Sequence, residues 1–532
     1  MRSLPDLLEA LSDSEVELWV RDEEIHYRAP KGHLRVELLE EIRAHRPALV
    51  ALLGSDAPCP IRAAPRLVRR DIEKDVPLTL MQTSFVESYG QLGQPYLLHV
   101  LCRIPLSGDI DPEIVRETVR EILRRHSVLR SRFTRNASGT LVAQLDGPPE
   151  FEWMTFDAEA AGGHLEPAAA GPLALLWKPG FDLESGPLVR VGLIVSGSGT
   201  KMLIWVAHHA VLDGWSTMIL YKEFHDIYAC IRAGHAPPPR LGLQFGDFAF
   251  YQREWLGSAE GHKARRYWKA ELAGVPAVPV PRREEEVGDS VGPLSGVFST
   301  ELIEKLRRAA SRHGTSLSVI AMSAFVVVVH QWTGAWDLLT WVCHLGRGDV
   351  RLVDVVGCML DLWLLRVRFA SVSSFAELAQ MVHGSYIGAL RTCGFPIFEM
   401  LELPPPGSPP PLLCNFNYQS SNGTPNASRG VGGGVSDVRE QVPHESATSE
   451  WVTRGLPDST TLDPGLMITL QLDCFEQTDA FHWAFKYAAE KLARPTVQAF
   501  AQTFCRILET VARDSELPIA QLPTLSKISA RA

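Results

Sequence analysis

His208 and His209 are adjacent, and His209 stands four residues before Asp213, which Gly214 follows directly. These residue types can do acid–base chemistry. An imidazole is mostly neutral at pH 7, so a histidine with a fixed orientation can accept a proton as a general base. Asp213 could pair with a cation and fix the loop. A buried histidine pair beside a structural carboxylate remains the alternative interpretation.

The elements around this group would hold it in place. The apolar run Met202 to Ala207 predicts a strand buried on both faces, ending at the histidines. Apolar residues at helical spacing follow, and they predict a helix with Ser216 as its N-cap. The helical pattern consists of Met218, Ile219, Phe224, Ile227 and Ile231.

The string from His208 to Gly214 resembles the HHxxxDG motif of the condensation domains of nonribosomal peptide synthetases, which chloramphenicol-acetyltransferase-like acyltransferases share. The resemblance favours catalysis over a structural role. It implies an α/β (α+β) fold of two chloramphenicol-acetyltransferase-like lobes arranged in a V. His209 would face a tunnel that is open at both ends.

The resemblance also implies roles for individual residues. His209 would act on the nucleophile and His208 would orient the loop. Asp213 would make a structural ion pair with Arg347. Gly214 would leave space for a pantetheine arm, and its backbone amide could help to bind the oxyanion. Trp215 and Ser216 would support the site together with Arg347.

Further segments resemble the family's other motifs: "PLTLMQTSF", "RRHSVLRSRF", "HLGRG" and "VVGCMLDLWLLRVRF". They imply tunnel residues Gln82, His126, Arg130 and Asp361. A structural role remains open for the basic residues of the second string, among them Arg132. Asp361-Leu362 stands where the family usually has Asn-Thr, which could alter substrate preference or could be a local repacking.

The first 55 residues predict a separate small αββα unit. Val16–Arg21 and Ile25–Arg28 alternate with period two and predict a hairpin, and a closing helix would contain Leu38, Leu39, Ile42, Leu49 and Leu52. This region resembles the β-hairpin docking domain of the tubulysin-synthetase type. The resemblance implies capture of the carboxyl-terminal short linear motif of an upstream synthase subunit by β-augmentation. The docking residues would be Trp19, Ile25, Tyr27, Arg28 and Lys31; a mere stabilising cap is the alternative.

The chain is thus predicted to divide into a docking domain (1–55), a linker (56–74), a first lobe (75–285) and a second lobe with crossover segments (286–532). Ser421–Glu450, rich in Gly, Ser and Asn, should hold the segment that crosses between the lobes.

Composition excludes several classes of function. The formal net charge of -10 argues against nucleic acid and against an anionic membrane as partners. The longest apolar run, Val319 to Val329, is too short to span a bilayer and predicts a buried helix. The 9 cysteines stand singly, so no metal site or disulfide framework is indicated. With an acidic start that is no signal peptide, these features predict a cytoplasmic protein.

Phosphate-binding and nucleophile-elbow motifs are absent from the sequence. No bound cofactor is expected, and no adenylation or carrier region follows the condensation-like part. The substrate would therefore arrive on the phosphopantetheine arm of a partner acyl or peptidyl carrier protein.

Two functions remain open. The first is a condensation enzyme that joins a carrier-bound acyl thioester to an amine or alcohol, with chain release as one variant. The second is a catalytically idle adaptor that bridges synthase subunits. An epimerisation-type relative is less favoured, because such domains normally work beside a carrier domain in the same chain.

Overall fold

The computed structural model describes a defined part of the chain. The described residues are 7, 11, 16–21, 24–29, 34–46, 49, 67–70, 75–90, 95–106, 108–157, 174–195, 201–239, 242–276, 278, 294–390, 392, 414–420, 461–462, 468–476, 480–489 and 491–525.

The amino-terminal unit is a hairpin packed on a helix. Strands β1 (Glu17–Arg21) and β2 (Glu24–Arg28) pair antiparallel, and helix α1 (Val36–Ala44) follows. The core of the unit consists of Leu7, Leu11, Val16, Leu18, Leu38, Ile42 and Leu49. The predicted hairpin and closing helix are therefore confirmed, while Leu52 lies outside the described residues.

The first lobe combines two sheets with helices. Its elements are β3 (Val76–Pro77), α2 (Leu80–Tyr89), β4 (His99–Leu106), α3 (Pro112–Arg125), β5 (Arg132–Arg135), β6 (Leu141–Gln144), β7 (Glu152–Asp157), α4 (Ala174–Trp177), β8 (Val189–Val195), β9 (Lys201–His208), α5 (Gly214–Arg232), α6 (Phe245–Leu256) and α7 (Ala259–Glu271). The main sheet has the strand order β4-β9-β8-β7, and β3-β6-β5 forms the smaller sheet.

Strand β9 leads directly into the two histidines and lies inside the main sheet. It pairs antiparallel with β4 on one side and with β8 on the other. All its residues after Lys201 are buried, which confirms the predicted strand. The histidines therefore leave a strand that is fixed on both edges.

The second lobe has one mixed sheet covered by helices. Its elements are β10 (Ser295–Phe298), α8 (Thr300–Arg312), α9 (Leu317–Thr333), β11 (Asp337–His344), β12 (Asp361–Arg368), α10 (Phe375–Leu390), β13 (Cys414–Ser420), β14 (Thr461–Leu462), β15 (Leu470–Glu476), β16 (Phe481–Ala488) and α11 (Arg494–Val511). The strand order is β10-β16-β15-β13-β11-β12, with β14 beside β16.

Helix α9 is the predicted buried helix, and every residue from Val319 to Val329 is buried. In the part of the chain that the structure describes, no single helix has the length and apolarity needed to cross a membrane. Helices α8 and α9 meet that test only as a pair, with a bend of 95° between them.

Apolar contacts join the lobes. Trp255 of α6 and Trp268 of α7 pack in one cluster with Trp341 and Trp363 of the second lobe. The loop between β11 and β12 inserts apolar side chains into the core of the first lobe: Leu352, Val355, Val356 and Met359. The predicted crossing segment, Ser421–Glu450, lies outside the described residues. The loop after β11 thus reaches the first lobe at the level of the histidines.

Candidate active site

Backbone hydrogen bonds fix the loop that follows β9. The His209 amide donates to the Leu98 carbonyl at 2.7 Å, and the Val211 amide donates to the His208 carbonyl at 3.0 Å. The Ala210 amide donates to Nδ1 of His208 at 3.1 Å. Gln82 closes the loop from α2, since its Nε2 donates to the Ala210 carbonyl at 2.8 Å.

Helix α5 is capped by Asp213 and not, as the sequence suggested, by Ser216. Oδ1 of Asp213 accepts from the Ser216 amide at 2.8 Å and from the Ser216 hydroxyl at 2.7 Å. The helix begins at Gly214, which is exposed, so Ser216 lies in the first turn. An aspartate caps as well as a serine, and here its carboxylate also faces the second lobe.

The predicted ion pair between Asp213 and Arg347 is present and joins the two lobes. Arg347 donates from Nη1 to Oδ2 at 2.8 Å and from Nη2 to Oδ1 at 3.1 Å, and both side chains are 3% exposed. The backbone amides of Met359 and Leu360 also donate to Oδ2. Burial alone would raise the pKa of Asp213, but the charge and hydrogen bonds of Arg347 and the hydrogen bonds from Ser216 lower it below its ordinary value. Asp213 is therefore an ionised clamp.

The loop that carries Arg347 is held by the first turn of α5. The Ser216 hydroxyl accepts from the Gly357 amide at 3.0 Å, and Arg347 donates to the Gly357 carbonyl at 3.3 Å. Trp215 donates from its indole to the Val353 carbonyl at 2.8 Å. Gly357 has a φ of +152°, and a side chain there would overlap the ring of Phe245. Ser216, Trp215 and Gly357 thus fix the clamp.

His209 lies at the centre of these contacts. Its ring centroid is 4.8 Å from that of Phe85, and its Nδ1 is 3.9 Å from Sγ of Cys358. Burial lowers the pKa of His209 below its ordinary value; the charge of Asp213 and backbone carbonyls only oppose this shift. Part of the residue remains exposed. His209 is therefore neutral at pH 7 and reachable, as a general base must be.

His208 differs from its neighbour. It is fully buried, and the ring of Tyr89 packs edge-on against it with centroids 4.4 Å apart. Burial first, then His99 and His209, lower its pKa to about 3. It stays neutral and accepts the Ala210 amide, which agrees with the loop-orienting role predicted for it.

The predicted tunnel residues make contacts within the fold. Gln82 holds the histidine loop as described above. His126 places Nε2 2.7 Å from Oε2 of Glu223, and Arg130 donates to the Leu123 carbonyl. These contacts favour the structural alternative for His126 and Arg130. Asp361 is 9% exposed and accepts from the Trp363 indole at 3.1 Å.

The predicted docking residues are described only in part. Ile25 packs against the small core, and Tyr27 is 49% exposed. The backbones of Trp19 and Arg28 lie in the two strands, but their side chains and all of Lys31 lie outside the described residues.

Sequence reasoning missed Phe85, Cys358 and Glu223. Cys358 lies inside a motif string quoted above, but no pattern in one chain shows that a second-lobe cysteine contacts a first-lobe histidine. Glu223 pairs with Arg125 and His126 across helices α5 and α3. Among the described residues, no group of three or more His, Cys, Asp or Glu side chains could hold a metal ion.

Two family models match this chain. The model described as "Condensation domain" matches residues 72–532, and the model described as "TubC N-terminal docking domain" matches residues 5–54. Both resemblances inferred from the motifs are therefore confirmed.

Curated relatives are much longer than this chain. Gramicidin S synthase 2 of Brevibacillus brevis is 24% identical over 432 residues, which cover 79% of this chain and 9% of that protein. Phosphinothricin tripeptide synthetase PhsC of Streptomyces viridochromogenes is 26% identical over 486 residues, covering 90% and 42%. The chain thus spans less than half the length of either relative.

Solved structures share the fold at low identity. The X-domain in the "Complex of the X-domain and OxyB from Teicoplanin Biosynthesis" is 19% identical with a TM-score of 0.65, covering 86% of this chain and 98% of that chain. The first condensation domain of the CDA synthetase is 16% identical with a TM-score of 0.61, covering 86% and 100%. These likenesses confirm the predicted fold class of two chloramphenicol-acetyltransferase-like lobes.

Proposed function

Because this chain belongs to the condensation domain family of nonribosomal peptide synthetase assembly lines, we propose that it joins a carrier-bound acyl thioester to an amine or an alcohol. One observation carries the proposal. His209, neutral and partly exposed, sits on a loop that the Asp213–Arg347 ion pair clamps between the lobes.

The reaction balances without a redox partner. The nitrogen or oxygen of the acceptor attacks the thioester carbonyl, a C–N or C–O bond forms and the C–S bond breaks. The proton leaves the nucleophile through His209 and reaches the departing thiolate, which gives the free phosphopantetheine thiol. An alcohol needs more help from the base than a free amine, because its pKa lies far above 7.

The other residues act through position. His208 holds the loop, and Asp213 with Arg347 fixes the angle at which α5 leaves it. The backbone N–H of Gly214 stands at the start of α5, where an oxyanion would be stabilised by the amide and by the helix dipole. Trp215 and Ser216 keep the second-lobe loop in place.

Partners follow from the reaction class. A partner acyl or peptidyl carrier protein would bring the substrate on its phosphopantetheine arm, and the protein itself would need no bound cofactor. The hairpin of β1 and β2 would pair with the carboxyl-terminal short linear motif of an upstream subunit. The exposed Tyr27 supports a docking role for β2.

The test is intact-protein mass spectrometry of an acyl-loaded carrier protein mixed with the full chain and a panel of amines and alcohols. We expect His209→Ala to lose about 10²–10⁴-fold in turnover, the usual contribution of a general base. His262→Gln, an exposed histidine of α7, should turn over as the wild type does. Product formation by His209→Ala at the wild-type rate would contradict the proposal.

An adaptor without catalysis is the second candidate. The observation that favours it is the shared fold with an X-domain that was solved as a complex with OxyB. On this alternative the wild type would form no product with any acceptor, while binding to synthase subunits would survive His209→Ala.

A further inference from the structure

Alternate residues of β13, β15 and β16 point to opposite faces of the second-lobe sheet. Cys414, Phe416, Leu472 and Phe485 pack into the hydrophobic core beneath the helices. Since side chains alternate along a strand, the residues between them lie on the other face. That face carries a polar row: Asn415, Asn417, Gln471, Asp473 and Lys486.

Asp473 determines how the amides of the polar row are oriented. A carboxylate only accepts hydrogen bonds, so the groups facing its Oδ1 must be the NH₂ groups of Asn417, at 3.1 Å, and Gln471, at 2.8 Å. Gln471 therefore turns its Oε1 to Asn415, and Nδ2 of Asn415 donates to that oxygen at 3.0 Å. This orientation turns Oδ1 of Asn415 away from Gln471.

Two acceptor oxygens of the polar row remain unfilled by the described residues. Asn415 is 7% exposed, yet its Oδ1 has no hydrogen-bond partner among them. Asp473 is 1% exposed; Nζ of Lys486 lies 2.7 Å from its Oδ2, but not in a hydrogen-bonding direction. A buried acceptor without a donor is costly, so such atoms in a folded protein point to a ligand or to water.

The polar row lies on the side of the sheet that leads to His209. Asn415 pairs in register with Trp341 of β11, and Cys343 follows on the same face of that strand. Burial first, and then the charges of Asp213, Asp473 and Asp361, raise the pKa of Cys343. Asp213 and Asp473 thus lie around one cysteine, and Cys343 in turn contributes to the raised pKa of Cys358, the residue beside His209.

The charge of the polar row decides what it can bind. Asp473 and Lys486 cancel each other, so the row offers a bound group no net charge. Because Lys486 lies beside Oδ2 of Asp473, the oxygen left to accept a hydrogen bond from a bound group is Oδ1 of Asn415. An isolated ammonium or carboxylate would be desolvated there without a counter-ion, whereas a hydroxyl or amide N–H would fill the acceptor.

We propose that the polar row is a specificity site, and that Asn415 Oδ1 accepts a hydrogen bond from a neutral hydroxyl or amide of the substrate. The inference rests on the proposed condensation function and deepens it. The donor chain and the acceptor are the two possible sources of this group, and the test treats each separately.

The test compares isosteric substrate pairs in the full-length protein. Carrier proteins loaded with threonyl or valyl, and with asparaginyl or leucyl, are offered first as donor and then as acceptor. In one of the two roles the wild type should prefer the polar member by about tenfold in kcat/KM, the value of roughly one good hydrogen bond. Asn415→Leu, which keeps the side-chain shape, should bring that ratio close to one.

Two further variants distinguish a change in substrate recognition from a general disturbance of the sheet. Asn415→Asp keeps an acceptor oxygen, loses the donor to Gln471 and adds an uncompensated charge, so its preference should move towards a 2,4-diaminobutyryl group, which carries an ammonium. Tyr418→Phe removes a polar contact to Glu476 on the opposite face of the same strand and should leave both ratios unchanged.

The possible results distinguish failure of the specificity site from failure of the proposed function. An unchanged ratio in Asn415→Leu, or an equal change in Tyr418→Phe, overturns the specificity site while the proposed function stands. Wild-type turnover without any preference for the polar members overturns it as well. No turnover of any pair by the wild type contradicts the proposed function and the inference with it.

Discussion

At the scale of single residues, two neighbouring histidines differ because their surroundings differ. Both have a lowered pKa, and burial is the main cause in each. The ring of His208 is buried against Tyr89, and its Nδ1 already accepts a hydrogen bond from the Ala210 amide. His209 keeps part of its surface exposed beside Phe85. Of these two adjacent histidines, the buried one is therefore structural and the partly exposed one is the candidate base.

The lowered pKa of His209 predicts the acid limb of the pH–rate profile. A base works only when neutral, and a pKa below the ordinary 6.5 keeps the ring neutral to lower pH. We therefore expect kcat/KM, which reports the free enzyme, to stay flat down to pH 6.5 and to fall only below it. An alcohol acceptor should show this limb most clearly. A break at or above pH 6.5 would contradict the assignment.

At the scale of elements, the loop between β11 and β12 couples the lobes to the histidine loop. It brings Arg347 to Asp213, places its apolar residues in the core of the first lobe, and hydrogen-bonds Ser216 through Gly357. The first turn of α5 therefore depends on the second lobe for its geometry. A substitution that removes one of these contacts should therefore lower both the stability of the protein and its catalytic rate.

Removal of Arg347 should destabilise the protein strongly. Arg347→Leu leaves the Asp213 carboxylate buried without its partner, which typically costs about 3–5 kcal/mol. The double variant Arg347→Leu/Asp213→Leu should recover part of that loss, because no buried charge remains. Denaturant unfolding measures the loss in the single variant and the recovery in the double variant. Arg351→Leu in the same loop, which removes a partly exposed pair with Asp349 and a hydrogen bond to the Leu67 carbonyl, should cost less, about 1–2 kcal/mol.

Gly357 provides a second test of the same loop. In Gly357→Ala the new methyl group meets the Phe245 ring at a backbone angle, φ +152°, that side chains rarely adopt. We expect a loss of about 1–3 kcal/mol in the free energy of unfolding and a lower kcat. Gly348→Ala is the matched control, because a methyl group there has nothing within 4 Å. Equal stability of the two variants would show that the loop adapts.

At the scale of the whole molecule, a small amino-terminal unit precedes two lobes that share one site. Among the residues that the structure describes, the unit has its own core of seven buried side chains, while each lobe builds a larger core around its main sheet. A docking unit joined to an enzyme raises the local concentration of the partner without adding a contact to the reaction. Docking and chemistry should therefore respond to different variants.

Tyr27→Ala tests this separation. Loss of the exposed ring on β2 should raise KM for a carrier that is attached to the matching upstream tail by about tenfold or more, with kcat unchanged. A carrier without that tail should show no difference between the variant and the wild type. Val36→Ala, which changes another exposed apolar residue of the same unit, is the control. A fall in kcat would indicate that the unit takes part in the chemistry.

Local sequence patterns were enough for the elements that carry the site. The apolar run into His208, the helical spacing after Gly214, and the alternating segments around residues 22–24 each lie in one continuous segment, so hydrophobic periodicity reports them directly. The motif strings added the family, the two-lobe fold and the pairing of Asp213 with Arg347.

Only the tertiary structure decided which side chains meet. The Met359 amide on Asp213, the contact between Cys358 and His209, and the Glu223 partner of His126 all join residues far apart in the chain. The polar row arises because the register of β13, β15 and β16 puts Asn415, Gln471 and Asp473 side by side on one face. Periodicity gives the face of a strand, whereas register and burial between strands and lobes determine what that face contacts.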